Sequence, residues 1–223
     1  MADLARYRTW IFDCDGVLLD SNRVKTEAFY RAAEPYGRDH AEALVDYHVR
    51  NGGISRYVKF STFLSDIVGR SRVDTDELQQ LLDRYAGLVG EGLRQCAVAD
   101  GLMALRRLTG SARWLVVSGG DQEELRSVFA DRGLAELFDG GIFGSPDTKD
   151  EILARERETG GILQPAVFIG DSRYDIEAAT RAGLDFIFAS RWSESDHDFS
   201  GSTLTVEGID TLVEYLGQSP RPH

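Results

Sequence analysis

Four carboxylates fall in two short segments, each at the end of an apolar run. WIFDCDGVLLDS carries Asp13 and Asp15, and AVFIGDSRYD carries Asp171 and Asp175. Unpaired buried carboxylates are costly, so an apolar run that stops at an acidic pair is not core design. It suits a metal-assisted active site at the carboxyl edge of a parallel sheet. Gly16 lets the chain turn sharply after Asp15. Two carboxylates leaving a strand end can divide their duties, one as nucleophile and one as general acid and base. A D-x-D-G string is also common in exposed turns. Asp171 and Asp175, four apart, share one face of a helix start. With Asp13 they can hold magnesium, which prefers oxygen ligands. They can equally cap that helix.

Two further positions carry chemistry. Ser118 ends the run WLVV and precedes Gly119 and Gly120. A hydroxyl with freed backbone N–H groups near a helix start makes a phosphate cradle. The same residues also make an ordinary strand-to-helix turn capped by Asp121. Lys149 lies in SPDTKDEIL, where a lysine opposes the dipole of the predicted helix. It is either a solvated surface lysine or a cation that holds a phosphate against the nucleophile.

The elements between these positions have a recognisable order. Trp10 to Phe12 read as a first strand. From Asn22 to about Gly92 the pattern is helical, with VKTEAFYRAAEPYG, AEALVDYHVRNGG, SRYVKFSTFLSDIVG and a helix from Thr75, taken as its cap. After Cys96, helices alternate with short β-rich runs: WLVVSGG, FDGGIFG, AVFIGDS, LDFIFAS and TLTV. That alternation implies α/β architecture with a doubly wound parallel sheet. The helical block interrupts it as an inserted all-helical domain. Residues 1–20 and 93–223 are assigned to the α/β core and 21–92 to the insert. Strand carboxyl ends share one edge of a parallel sheet, so all four sites can converge there.

Composition narrows the setting. The chain has 223 residues, a net charge of −12 and 42% hydrophobic residues. The acidic balance argues against nucleic acid or an anionic membrane as partner. An anionic small substrate is still allowed, because a metal ion and a few cations reverse the sign locally. The two cysteines, Cys14 and Cys96, follow no zinc or disulfide spacing, which fits a reduced, cytoplasmic location. Neither a signal peptide nor a membrane span is expected. Cys14 is expected to be a small buried hydrophobe. The four histidines follow no ligand spacing, and the tail GQSPRPH is expected to fray.

The ordered motifs resemble the haloacid dehalogenase-like (HAD) superfamily of phosphotransferases, over nearly the whole chain. IFDCDGVLLDS resembles the first family motif, VVSGG the second, Lys149 the third and GDSRYD the fourth. The resemblance implies a Rossmann-like core with a small helical cap, as in the phosphoglycolate phosphatase-like and β-phosphoglucomutase-like members. It implies Asp13 as nucleophile, and Asp15 as acid and base with its backbone carbonyl on magnesium. Ser118 would hold phosphoryl oxygens with Gly119 and Gly120, and Lys149 would neutralise charge. Asp171 would bind Mg2+, and Asp175 would bind it directly or through water. An acidic residue at Asp15 argues against dehalogenase activity. Cap lysines serve phosphonate hydrolysis in this superfamily, and Lys25 and Lys59 leave that open.

In the cap, NGGISRYVKF resembles the segment in which β-phosphoglucomutase-like enzymes touch substrate through a Gly-x-Ser-Arg stretch. Arg56 can then take a phosphate or carboxylate bidentately, or be a surface cation. Lys25 stands where those mutases carry a histidine, and Gly52 where they favour a lysine, which counts against a mutase. The expected function is a magnesium-dependent phosphatase of a small phosphorylated metabolite, acting through an aspartyl phosphate. A phosphomutase, or a non-catalytic protein on the same fold, are the alternatives. Ser21–Asn22 and Gly90–Gln95 are the expected hinges, and a monomer or homodimer the expected assembly.

Overall fold

The first apolar run becomes the centre of a sheet. In the computed structural model, which describes residues 3–218, β1 (Thr9–Phe12) is buried at all four positions. β2 (Arg113–Asp121) and β4 (Ala166–Gly170) flank it, with Phe12 opposite Val116 on one side and Ile169 on the other. β3 (Gly141–Ser145), β5 (Asp185–Ala189) and β6 (Leu204–Val206) complete a six-stranded sheet ordered β3-β2-β1-β4-β5-β6, with every pairing parallel. Chain order reverses between β1 and β4. A crevice opens beyond the strand ends at such a switch point, and Asp13 and Asp171 follow these two strands.

Side chains alternate across the sheet with period two. Trp10 and Phe12 enter one apolar layer and Ile11 the other. The first layer is closed by α5 (Leu102–Leu108), α6 (Gln122–Asp131) and α9 (Ile209–Gln218), through Leu105, Val128 and Leu212. The second is closed by α7 (Lys149–Glu158) and α8 (Arg173–Arg181), through Ile152, Leu153, Ala178 and Ala179. Phe12 lies 4.6 Å from the ring of Trp114 and edge-on to Phe138, so it ties β1 to β2.

The helical insert is α1 (Asn22–Ala33), α2 (Arg38–Arg50), α3 (Arg56–Thr62), a π-helical turn (Phe63–Ile67) and α4 (Thr75–Gln95). Phe29, Leu44, Phe60, Phe63 and Tyr85 fill its interior. Two details differ from the sequence expectation. The cap of α4 is Asp74, not Thr75, because the Asp74 carboxylate accepts from the Asp76 and Glu77 N–H groups. Gly90–Gln95, expected as a hinge, forms the last turns of α4. A Cβ on Gly92 would lie 2.4 Å from Val24 Cγ1, so the glycine lets α4 approach α1.

Both cysteines are free thiols, and Cys14 is fully buried. Gly217 and Gln218 close α9, while the rest of the tail, 219–223, lies outside the described residues. Among the described residues no helix is long and apolar enough to cross a membrane. Phe12→Ala is expected to lower unfolding stability by about 3–5 kcal/mol, because the packed layer cannot collapse around the missing ring. Urea unfolding of the two proteins checks this.

Candidate active site

The carboxylate of Asp13 is held from two sides. Its backbone N–H donates to Ile169 O of β4 at 2.9 Å, which anchors the strand end. One side-chain oxygen accepts from the Cys14 N–H at 2.7 Å, and the other lies 3.0 Å from Lys149 Nζ. Burial pushes the Asp13 carboxyl up to about 7; Lys149 opposes this, while Asp175 and Asp15 add to it.

Lys149 is the first residue of α7, and a capping box between Thr148 and Glu151 fixes that helix start. Its ammonium is sealed from solvent between Asp13 and Asp175. Burial works against its charge, but the two carboxylates outweigh burial and raise its pKa. The unfavourable position relative to the helix dipole is thus offset by two ion pairs.

Asp175 does two things at once. One oxygen takes the Lys149 ammonium. The other accepts from the Ser172 N–H at 3.0 Å and the Ser172 hydroxyl at 2.6 Å, which starts α8. One side chain thus both caps the helix and pairs with Lys149. Asp171 receives Asn22 Nδ2 at 2.8 Å, and burial followed by Asp13 and Asp175 pushes its pKa well up.

Asp13, Asp171 and Asp175 offer oxygens within 4.8 Å of one another, all buried. With all three carboxylates ionised against one ammonium, two negative charges would stand uncompensated in a low-dielectric site. A hard divalent cation with oxygen preference fits that deficit. The carboxylate of Asp15 stands outside this trio. It points to the Ser21 hydroxyl (2.6 Å) and the Lys25 ammonium (2.5 Å). Burial alone would raise its pKa, but Lys25 and Ser21 outweigh burial and lower it.

Ser118 is fully buried beneath the glycine turn, where its hydroxyl accepts from the Gly120 N–H at 3.0 Å. Ser145 donates to the Gly119 and Gly120 carbonyls and holds that turn from β3. Gly119 and Gly120 line the cleft together with Asp13, Asp15, Lys25 and Arg56. The cleft encloses about 70 Å³ of free space and opens to solvent. A Cβ on Gly119 would lie 2.1 Å from Gly53 O, so the insert rests directly on the turn. Arg56 lines the cleft but is not a free cation. Its guanidinium makes a two-point contact with Glu124 of α6 (2.5 and 3.0 Å), and Tyr57 donates to Asp121 at 2.6 Å beside it.

Residues 7–183 match the family model described as haloacid dehalogenase-like hydrolase. The chain belongs to this family. A curated relative, the phosphorylated carbohydrates phosphatase of Thermotoga maritima, is 25% identical over 211 residues, covering 92% of this chain and 93% of its own. The β-phosphoglucomutase of Clostridium difficile superposes with a TM-score of 0.74 at 18% identity, covering 95% and 96%. The HAD-hydrolase YfnB of Bacillus subtilis, bound to magnesium, superposes with a TM-score of 0.67 at 22% identity, covering 95% and 99%. At these identities the two structures speak for the fold.

Sequence reasoning missed several residues of the hydrolase. Asn22 bridges Asp171 to the Trp192 carbonyl, and Ser193 donates to the Asp171 carbonyl at 2.6 Å. Ser21 orients Asp15. These are short polar residues whose role depends on tertiary approach, and no spacing reveals them. His48 and Lys59, given no metal role and only a weak role respectively, also line the cleft.

Gly16 has φ +74°, and a Cβ there would lie 2.0 Å from Asp171 Oδ2 and 2.5 Å from Asn22 Nδ2. Gly16→Ala is expected to displace Asp171 and weaken divalent-cation binding by about 10–100-fold, the usual effect of disturbing groups around a metal ligand. Titration calorimetry with magnesium measures this.

Proposed function

We propose that the hydrolase is a magnesium-dependent phosphatase of a small phosphorylated metabolite, a sugar phosphate or a phosphorylated acid. The observation that carries this reading is the Asp13–Lys149 pair at the floor of a cleft that also presents the Gly119–Gly120 turn. The phosphatase named for phosphorylated carbohydrates and the magnesium of the Bacillus relative support it. In this reading the helical insert, 21–92, is the cap, and 1–20 with 93–223 form the catalytic core.

Asp13 attacks phosphorus in line. Asp15 gives a proton to the departing ester oxygen, and an aspartyl phosphate remains on Asp13. Water then attacks the same phosphorus and gives its proton to Asp15, and the bond to Asp13 breaks to release inorganic phosphate. Asp15 is suited to the second step because Lys25 and Ser21 hold it ionised against burial. Lys149, the Ser118 hydroxyl and the Gly119 N–H face the charge that spreads over the transferring oxygens. Asp13, Asp171 and Asp175 would hold magnesium, which would supply further positive charge at the phosphoryl group. The cap excludes bulk water and selects the leaving group.

Phosphate release from a panel of phosphorylated metabolites with magnesium, measured beside isomerised sugar phosphate, separates hydrolysis from a mutase reaction. Asp13→Asn is expected to reduce turnover by at least about a thousandfold, as loss of a nucleophile does. Asp15→Asn is expected to lose about 10²–10⁴-fold. Chelating magnesium is expected to stop release in the wild type, and full activity in either the chelated enzyme or Asp13→Asn would sink the mechanism.

A further inference from the structure

Among the described residues, every buried cation around the cleft but one is paired with a carboxylate. Lys25 is matched by Asp15, Arg56 by Glu124, and Lys149 by Asp13 and Asp175. Lys59, on α3, is 2% exposed and has no carboxylate within ion-pair distance among the described residues. Its Nζ meets only His48 Nδ1, at 2.7 Å, and lies 5.4 Å from the centre of the Phe29 ring. His48 itself stacks 4.4 Å from Phe29. Both residues line the cleft, on the insert side, with Phe29 and Tyr85.

A buried lysine without a counter-ion is expensive to keep charged. Burial, followed by Lys25, lowers the Lys59 pKa to about 7, with Asp15 opposing. Burial and the two lysines push His48 well below its usual value, so it is neutral and its Nδ1 accepts from the ammonium. An apolar residue would fill the same volume at no such cost. The side chain therefore makes physical sense as half of an ion pair whose other half arrives with the ligand.

We propose that Lys59 and His48 form a cap subsite for a carboxylate on the leaving group of the substrate. The inference rests on the phosphatase reading and narrows it to phosphorylated acids. One unmatched positive charge calls for a monoanion, so a carboxylate fits better than a second phosphate dianion. Arg56, whose guanidinium is already held by Glu124, is not needed for this contact. The carboxylate restores Lys59 to its charged state, and the phosphate ester lies towards Asp13 on the opposite wall.

The test compares 3-phosphoglycerate with glycerol 3-phosphate, which differ by a carboxylate in place of a hydroxymethyl group. Titration calorimetry is run with magnesium on Asp13→Asn, which reads binding without turnover. The acid is expected to bind about tenfold or more tighter than the alcohol, the scale of a hydrogen bond to a charged group. Adding Lys59→Met is expected to remove that preference while the alcohol stays within about threefold of its affinity, a margin of under 1 kcal/mol. The alcohol thus serves as the control for folding. Adding Lys59→Arg instead is expected to keep a preference for the acid, because the charge is retained.

Equal affinity for the two compounds, or a preference that survives Lys59→Met, overturns the subsite. Phosphate release by the wild type separates the two claims. Release from both compounds without preference overturns the carboxylate subsite alone. No release from any phosphate ester, with the calorimetric preference intact, overturns the phosphatase reading and leaves the subsite standing.

Discussion

The buried ammonium of Lys149, between Asp13 and Asp175, is the contact on which the rest of the site depends. It joins three separate parts of the chain: the end of β1, the start of α7 and the start of α8. Removing one partner of such a pair would strand charge in the interior. The same contact sets the electrostatics. Three clustered carboxylates cannot all ionise against one another without compensation, and Lys149 balances only part of their charge. What is left over is suited to a divalent cation.

The insert is tied to this arrangement by small residues as much as by charge. Gly119 has no side chain because Gly53 O occupies that space, and Gly16 has none because Asp171 does. Arg56 and Tyr57 then fasten α3 to α6 through Glu124 and Asp121. The cleft is consequently formed by two walls of different character. The sheet edge supplies carboxylates and backbone N–H groups, and the helical wall supplies Lys25, Lys59, His48 and two aromatic rings. The first wall suits chemistry at phosphorus, and the second suits recognition of what is attached to it.

Much of the sheet was legible because its strands end at informative residues. WIF before Asp13 and VFIG before Asp171 mark the two central strands, and the alternation of elements gives parallel pairing. The order of acidic pair, hydroxyl, lysine and acidic pair points to one sheet edge from the sequence alone. Helix ends were less visible: Asp74 rather than Thr75 caps α4, since either residue type can do so and only geometry chooses. Gly92 looked like part of a hinge, yet it serves helix packing against Val24. Arg56 was legible as a cleft residue, but its partner Glu124 lies 68 positions away and leaves no local trace. The pairing of His48 with Lys59 is hidden for the same reason, since it depends on how α2 packs against α3.

The most direct test of the account is chemical trapping of Asp13. The wild-type enzyme is mixed with magnesium and a substrate that it hydrolyses, quenched in acid, and reduced with borohydride, which converts an aspartyl phosphate to homoserine. Peptide mass spectrometry then reads the modified position. The account predicts homoserine at position 13 alone, dependent on both substrate and magnesium. Phosphate release with no modification at position 13, or modification at Asp15, Asp171 or Asp175 instead, would contradict it.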